Sequence, residues 1–287
     1  MDKVKKYLSL IKFSHTIFAL PFAMIGFFLA AVKFNYGFEP IQLVRVVMAM
    51  VFARSAAMAF NRWLDKNFDA KNPRTAIREI PAGILKANSV LLFVILNCVF
   101  FFLACYYINP ICFALSPIAI SVILFYSYTK RFTALCHFFL GLGLSLAPIG
   151  SFLALSGKFE LLPILFSVAV LCWVSGFDII YALQDVDFDK EHQLHSIPVK
   201  LGNTKALNVS RLLHVVAFVN ILLAFFVGQF GVWYLVGMIV FGILLLFQHY
   251  LVKPNDLSKV NMAFFTTNGI ASIVFASFVI IDIFYNK

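Results

Sequence analysis

Runs of about twenty apolar residues, separated by short polar stretches, dominate the pattern along this chain. A segment such as VLLFVILNCVFFFLACYYI shows no alternation of polar and apolar positions. A membrane-spanning strand of about ten residues would alternate. Each run can cross a hydrocarbon core of roughly 30 Å as a helix. The pattern predicts nine spans, at about 13–33, 41–64, 89–108, 111–128, 134–156, 161–184, 207–228, 231–251 and 261–283. The fold class is therefore all-α, a polytopic membrane protein, with residues 1–287 forming a single transmembrane domain.

Composition agrees. The chain is 62% apolar, carries 35 Phe and is only 13% charged, too few polar residues to cover a water-soluble surface. The start, MDKVKKYLSLIKF, is basic and then apolar like a signal peptide, but the many later spans favour a retained first helix. Cys98, Cys105, Cys112, Cys136 and Cys172 all lie in apolar runs with no CxxC pair. They read as small core hydrophobes rather than metal ligands.

The net charge of +10 is distributed by side. Lys3, Lys5, Lys6 and Lys12 precede the first span. Arg62, Lys66, Lys71, Arg74, Arg78 and Lys86 follow the second. Lys130 and Arg131 follow the fourth, Lys190, Lys200, Lys205 and Arg211 the sixth, and Lys253 and Lys259 the eighth. The opposite side holds Lys33, Arg45, Lys158 and Lys287. The positive-inside rule then places the N-terminus and the loops after even spans in the cytoplasm. The charge is a topology signal rather than a nucleic-acid footprint, and the expected home is a bacterial-type cytoplasmic (inner) membrane.

Acids sharpen the picture. Asp65, Asp69, Glu79, Asp178, Asp185, Asp187, Asp189 and Glu191 gather at the cytoplasmic ends of spans 2 and 6. Asn61, Asp65 and Asp69 precede EIPAG; Tyr181, Asp185 and Asp189 precede SIPVKLG. The two sets lie four spans apart. A duplicated four-helix unit explains them, with halves about 13–128 and 134–251 and an added helix at 261–283.

A helix advances 100° per residue, so Asn61, Asp65 and Asp69 fall at about 0°, 40° and 80° on one face. Asp178, Asp185 and Asp189 fall at about 0°, −20° and 20°. Two files of carboxylates near a bilayer need cations. Oxygen ligands without His or Cys suit Mg²⁺, which takes one or two carboxylates and completes its shell with water and phosphate. Two files suggest two Mg²⁺ ions around one diphosphate. Arg74, Arg78, Lys130, Arg131 and Lys200 are candidate phosphate partners, although each alone also reads as a lipid anchor. A diphosphate beside a Phe-rich interior points to a lipid diphosphate. Its departure leaves an allylic cation, for which the faces of Tyr126, Tyr128 and Tyr181 are candidate stabilisers; packing explains each tyrosine equally well.

NRWLDKNFD resembles the NxxxDxxxD motif of the UbiA superfamily of intramembrane prenyltransferases, and DIIYALQDVDFD resembles its second motif. YSYTKRFT, GLGLSLAPIGSFLALSG and FFTTNGIAS extend the likeness over nearly the whole chain. ARSAAMAFNR and GFDIIYALQDVDFDKEHQLHSIPVKLG look most like the 4-hydroxybenzoate polyprenyltransferase branch, which includes enzymes assigned to futalosine-route menaquinone synthesis. The resemblance implies nine helices around a central cavity, Mg²⁺ dependence, and prenyl transfer from a polyprenyl diphosphate to an aromatic acid in quinone biosynthesis. It assigns Asn61, Asp65 and Asp69 to one Mg²⁺–diphosphate and Asp185 and Asp189 to the other. Asp178 would orient the acceptor or take its phenolic proton.

Arg54 lies within span 2, seven residues before Asn61 and about 10 Å deeper. An arginine there faces a cavity or a partner. The expectation is that it binds the acceptor carboxylate, or Asp178 when the site is empty; a structural ion pair is the alternative. His15, His137, His214 and His249 are scattered and read as structural, while His195 is a weaker phosphate candidate. Asn268 is expected to bond a neighbouring helix. Asp187 reads as a solvated charge. Haem- or chlorophyll-type prenyl transfer is the rival within the superfamily, and a membrane transporter the rival outside it. The acids at a cytoplasmic mouth argue against a transporter, whose sites favour the bilayer midplane.

Overall fold

Residues 3–11 and 18–286 are described by a computed structural model. Lys12, His15 and residues 13–17 of the first predicted span lie outside the described residues. In lipid each backbone polar group must be bonded within its own segment, so the apolar runs fold as helices. A short helix, α1 (Lys3–Leu10), comes first. α2 (Leu20–Phe28) runs on through a π-helical stretch, Leu29–Lys33. α3 (Pro40–Leu64) and α4 (Lys66–Lys71) carry the first acidic motif. α5 (Ala87–Ile108), α6 (Pro110–Thr129) and α7 (Cys136–Ser156) follow. α8 (Leu161–Ala182) continues through a 3₁₀ turn, Leu183–Asp185, into α9 (Val186–Glu191). Then come α10 (Ile197–Leu201), α11 (Asn203–Val227) and α12 (Val232–Leu251), and finally a π-helical stretch, Met262–Thr267, leading into α13 (Asn268–Tyr285).

Among the described residues, eight helices are long and apolar enough to cross a membrane. Of the nine expected spans the first is described only in part: Leu20–Lys33 is apolar but shorter, and residues 13–17 of that predicted span lie outside the described residues. Helix ends follow local chemistry. Pro40 and Pro110 open α3 and α6, where a missing N–H costs nothing. Asn109 caps α6 by accepting from Cys112 N–H at 2.8 Å, and its Nδ2 donates to Leu153 O at 2.8 Å at the end of α7. Gly157, at φ 61°, stops α7.

Consecutive helices pack on one another, and α13 returns to α2. Among the described membrane-length helices, the span that begins with α8 is the most buried. Small residues let it in: a Cβ on Gly141 of α7 would stand 2.4 Å from Leu171 O of α8. On the other flank Asn268 Oδ1 accepts from Trp173 Nε1 at 2.9 Å and Gln248 Nε2 at 2.7 Å, the interhelical role predicted for it. His214 Nδ1 and His249 Nε2 form a structural pair at 2.9 Å.

Candidate active site

The first file does not run along an unbroken helix. α3 stops at Leu64, and Asp65 adopts φ −92°, ψ 8° before α4 begins. The break leaves Leu64 O open, and Arg131 Nη2 donates to it at 2.9 Å. The same nitrogen is 3.1 Å from Asp65 Oδ1, while Asn61 Nδ2 donates to Asp65 Oδ2 at 3.1 Å. Burial pushes the Asp65 carboxyl above the usual carboxylate range, against the pull of Arg131. One turn on, buried Asp69 accepts from Arg78 Nη1 at 2.6 Å.

The second file has the same break. Asp185 ends the 3₁₀ turn at φ −108°, ψ 5°, and α9 then carries Asp189 to full burial. Arg74 crosses from the loop after α4 and grips both Asp185 oxygens, with Nε 3.2 Å from Oδ1. Its Nη1 donates to Tyr181 Oη at 2.8 Å. Burial opposes the Arg74 charge, yet Asp185 and Tyr181 outweigh it and raise the pKa. Asn72 Nδ2 reaches the same carboxylate at 3.4 Å. Lys130 Nζ lies 2.8 Å from Asp189 Oδ1. Burial likewise opposes the Lys130 charge, and the Asp189 and Asp185 carboxylates raise its pKa overall.

The four cations therefore lace the two files together. Neighbours Lys130 and Arg131 take opposite files, and so do Arg74 and Arg78. The loop holding Arg74 and Arg78 consists of turns rather than helix, which is why residues four apart diverge. Both files open on a single cavity of about 320 Å³. Arg54, Asn61, Asp65, Asp69, Arg74, Arg78, Tyr126, Lys130, Arg131, Asp178, Tyr181, Asp185 and Asp189 all line it. Its remaining wall is largely apolar, with Met58, Leu144, Phe177, Phe264 and Phe265.

Residues 19–279 match the UbiA prenyltransferase family. The chain belongs to that family. It is 27% identical over 246 residues to the 4-hydroxybenzoate octaprenyltransferase of Nitrosomonas europaea, covering 86% of this chain and 84% of the relative. It is 26% identical over 250 residues to the enzyme of that name from Francisella tularensis subsp. mediasiatica, covering 86% and 87%. An apo UbiA homologue from Aeropyrum pernix superposes with a TM-score of 0.85 at 30% identity, over 93% of this chain and 98% of the other. A UbiA homologue from Archaeoglobus fulgidus bound to DMAPP and Mg²⁺ shares the fold, with a TM-score of 0.79 at 18% identity, over 97% and 99%. This UbiA protein is thus an integral membrane prenyltransferase.

Five expectations for its site need correction. Tyr128 does not line the cavity; it is exposed, and its ring lies 5.3 Å from the Arg131 guanidinium. Lys200 sits exposed on α10, away from the cavity. Arg54 does not pair with Asp178, whose Oδ2 is instead 2.7 Å from His137 Nδ1. His137 therefore lines the cavity beside Asp178 instead of standing apart from it. His195 stays outside too; its backbone N–H donates to Lys130 O at 2.7 Å. Asp187 is exposed on α9, as expected for a solvated charge.

Arg62, Asn72, Thr75, Phe264 and Phe265 line the cavity without having been singled out by the sequence. Arg62 lies inside NRWLDKNFD and was a findable signal. Phe264 and Phe265 owe their position to the π-helical turn, a feature frequent at functional sites.

The site residues fit Mg²⁺. All acidic donors are oxygen, and Asp69 Oδ2 and Asp189 Oδ2 are buried without a hydrogen-bond partner. Such orphaned acceptors call for a cation. Among the described residues no three His, Cys, Asp or Glu side chains are grouped to hold an ion by themselves. An ion here would draw on one or two carboxylates and on substrate oxygens, which is the habit of Mg²⁺.

Proposed function

We propose that this enzyme transfers a polyprenyl chain from a polyprenyl diphosphate to a hydroxylated aromatic acid, 4-hydroxybenzoate or a dihydroxynaphthoate, in quinone biosynthesis. The observation that carries this reading is the convergence of two aspartate files and four cations on one mouth, above a wall of aromatic and aliphatic side chains. Asn61, Asp65 and Asp69 would hold one Mg²⁺, and Asp185 and Asp189 a second. Bound Mg²⁺ supplies positive charge to the leaving diphosphate. Arg74, Arg78, Lys130 and Arg131 line the same mouth and would bind the phosphate oxygens. The allylic C–O bond breaks and diphosphate leaves with the electron pair. The ring carbon ortho to the hydroxyl supplies the pair for the new C–C bond and then loses its proton. Arg54 binds the acceptor carboxylate; Asp178 takes the phenolic proton as the ring attacks and returns it to the oxygen as the ring carbon releases its own, so one proton is lost in all. Tyr126, with Phe264 and Phe265, keeps water from the cation and faces it with π density.

The mouth belongs on the cytoplasmic face. Ser9 of α1 donates to Glu79 at 2.6 Å, which puts the N-terminal helix at the same end as the acidic files. Both files follow from duplication of a four-helix unit. Asp65 and Asp185 share nearly the same backbone conformation, and each precedes a buried aspartate by four residues.

The test is product analysis. Purified enzyme in detergent receives Mg²⁺, geranyl diphosphate and either acid. Mass spectrometry should find the C-prenylated acid in equimolar amount with released diphosphate, and chelation should abolish both. Diphosphate release without any prenylated acid would overturn the acceptor assignment; no release at all would overturn the donor assignment.

A further inference from the structure

His137 stands at the start of α7, 2% exposed, on the cavity wall. Its Nδ1 is 2.7 Å from Asp178 Oδ2. On the opposite edge of the ring, Nε2 accepts the Ile197 N–H at 3.3 Å, from the first turn of α10. A ring nitrogen that accepts a hydrogen bond carries no proton. The imidazole proton is therefore on Nδ1, where it is donated to Asp178. Asp178 is the acceptor in that bond.

The backbone of His137 is held as tightly as its ring. Its carbonyl accepts from Ser175 Oγ at 3.1 Å, one turn before Asp178 on α8. Gly141, one turn along α7, brings the two helices to contact there. Asp178 keeps 23% of its side chain exposed, and it lines the cavity in which the acceptor would lie. The histidine thus joins buried packing to a carboxylate that opens on the cavity.

We propose that His137 is the positioning residue for Asp178. It presents Asp178 Oδ1 to the acceptor hydroxyl and ties that orientation to the seating of α10 behind the second file. The assignment rests on the phenolic-acid reading above, through Asp178.

Three replacements separate the two bonds. His137→Asn retains a donor close to the Nδ1 position, His137→Gln reaches only toward Ile197, and His137→Ala loses both. The expected result is a fall in kcat of about 10- to 100-fold for Ala and Gln, with most of it restored in Asn. KM for geranyl diphosphate should stay unchanged. The double variant His137→Ala/Asp178→Asn should be no slower than Asp178→Asn alone, because the histidine acts through the carboxylate. Equal losses in the Asn and Ala variants, or losses that multiply in the double variant, would overturn the proposal. So would a drop in melting temperature without this kcat pattern. Failure of the underlying reading is a separate result, in which the wild-type enzyme releases diphosphate but makes no prenylated phenolic acid.

Discussion

Replacing Arg54 by alanine tests where the acceptor binds. Arg54 lines the cavity from the middle of α3, about 10 Å below Asn61 at 1.5 Å per residue. Its Nε is buried without a hydrogen-bond partner, and it joins none of the ion pairs that hold the aspartates. An acceptor carboxylate would satisfy that donor. A charge-assisted hydrogen bond of this kind contributes about 1.5–3 kcal/mol, a factor of about 10 to 150 in affinity. In initial-rate assays at saturating prenyl diphosphate, Arg54→Ala should raise acceptor KM by that factor and leave prenyl diphosphate KM unchanged. Melting temperature in detergent should not fall, because the free enzyme loses no paired partner. Arg54→Lys keeps the charge but not the planar fork and should fall between. An acceptor with its carboxylate replaced by an amide should bind wild type and Arg54→Ala alike. An unchanged acceptor KM, or an equal rise in both KM values, would refute the reasoning.

Further outcomes follow from the same geometry. Asp189→Asn should lower kcat by about 10²–10³-fold, the scale of losing a preorganised electrostatic contact, and raise the Mg²⁺ concentration for half-activity in a metal titration. Arg74→Ala releases Asp185 and Tyr181 together and should raise KM for prenyl diphosphate about tenfold, a loss Arg74→Lys does not recover because lysine lacks the bidentate fork. Gly141→Ala drives a methyl to 2.4 Å from Leu171 O and should destabilise the protein by about 1–3 kcal/mol, read as a lower melting temperature in detergent.

Much of the site was legible because it is written locally. Asn61, Asp65 and Asp69 declare themselves by spacing, and so do Asp185 and Asp189. The same spacing misled where it assumed one straight helix, since both helices break at the first aspartate of the pair. The partners of these acids were not legible. Arg74 reaches Asp185 across 111 residues of sequence, and His137 reaches Asp178 across 41. Nothing in the residues around Asp178 distinguishes a histidine on α7 from an arginine on α3 as its neighbour. Tyr128 and Tyr126 look equivalent in YSYTKRFT, and only the rotation of α6 turns one into the cavity and the other out.

The amino-acid order by itself determined the class, eight of the spans and the placing of the two acidic motifs at span ends. Hydropathy over twenty residues and carboxylates at four-residue intervals are properties of short segments, set by bilayer thickness and helical pitch. The tertiary structure alone decided which cation meets which carboxylate, which tyrosine faces inward and what holds Asp178. Those choices depend on how far one helix is rotated and slid against another. The rotation is set by small residues such as Gly141 and Ser175, whose neighbours come from distant parts of the chain.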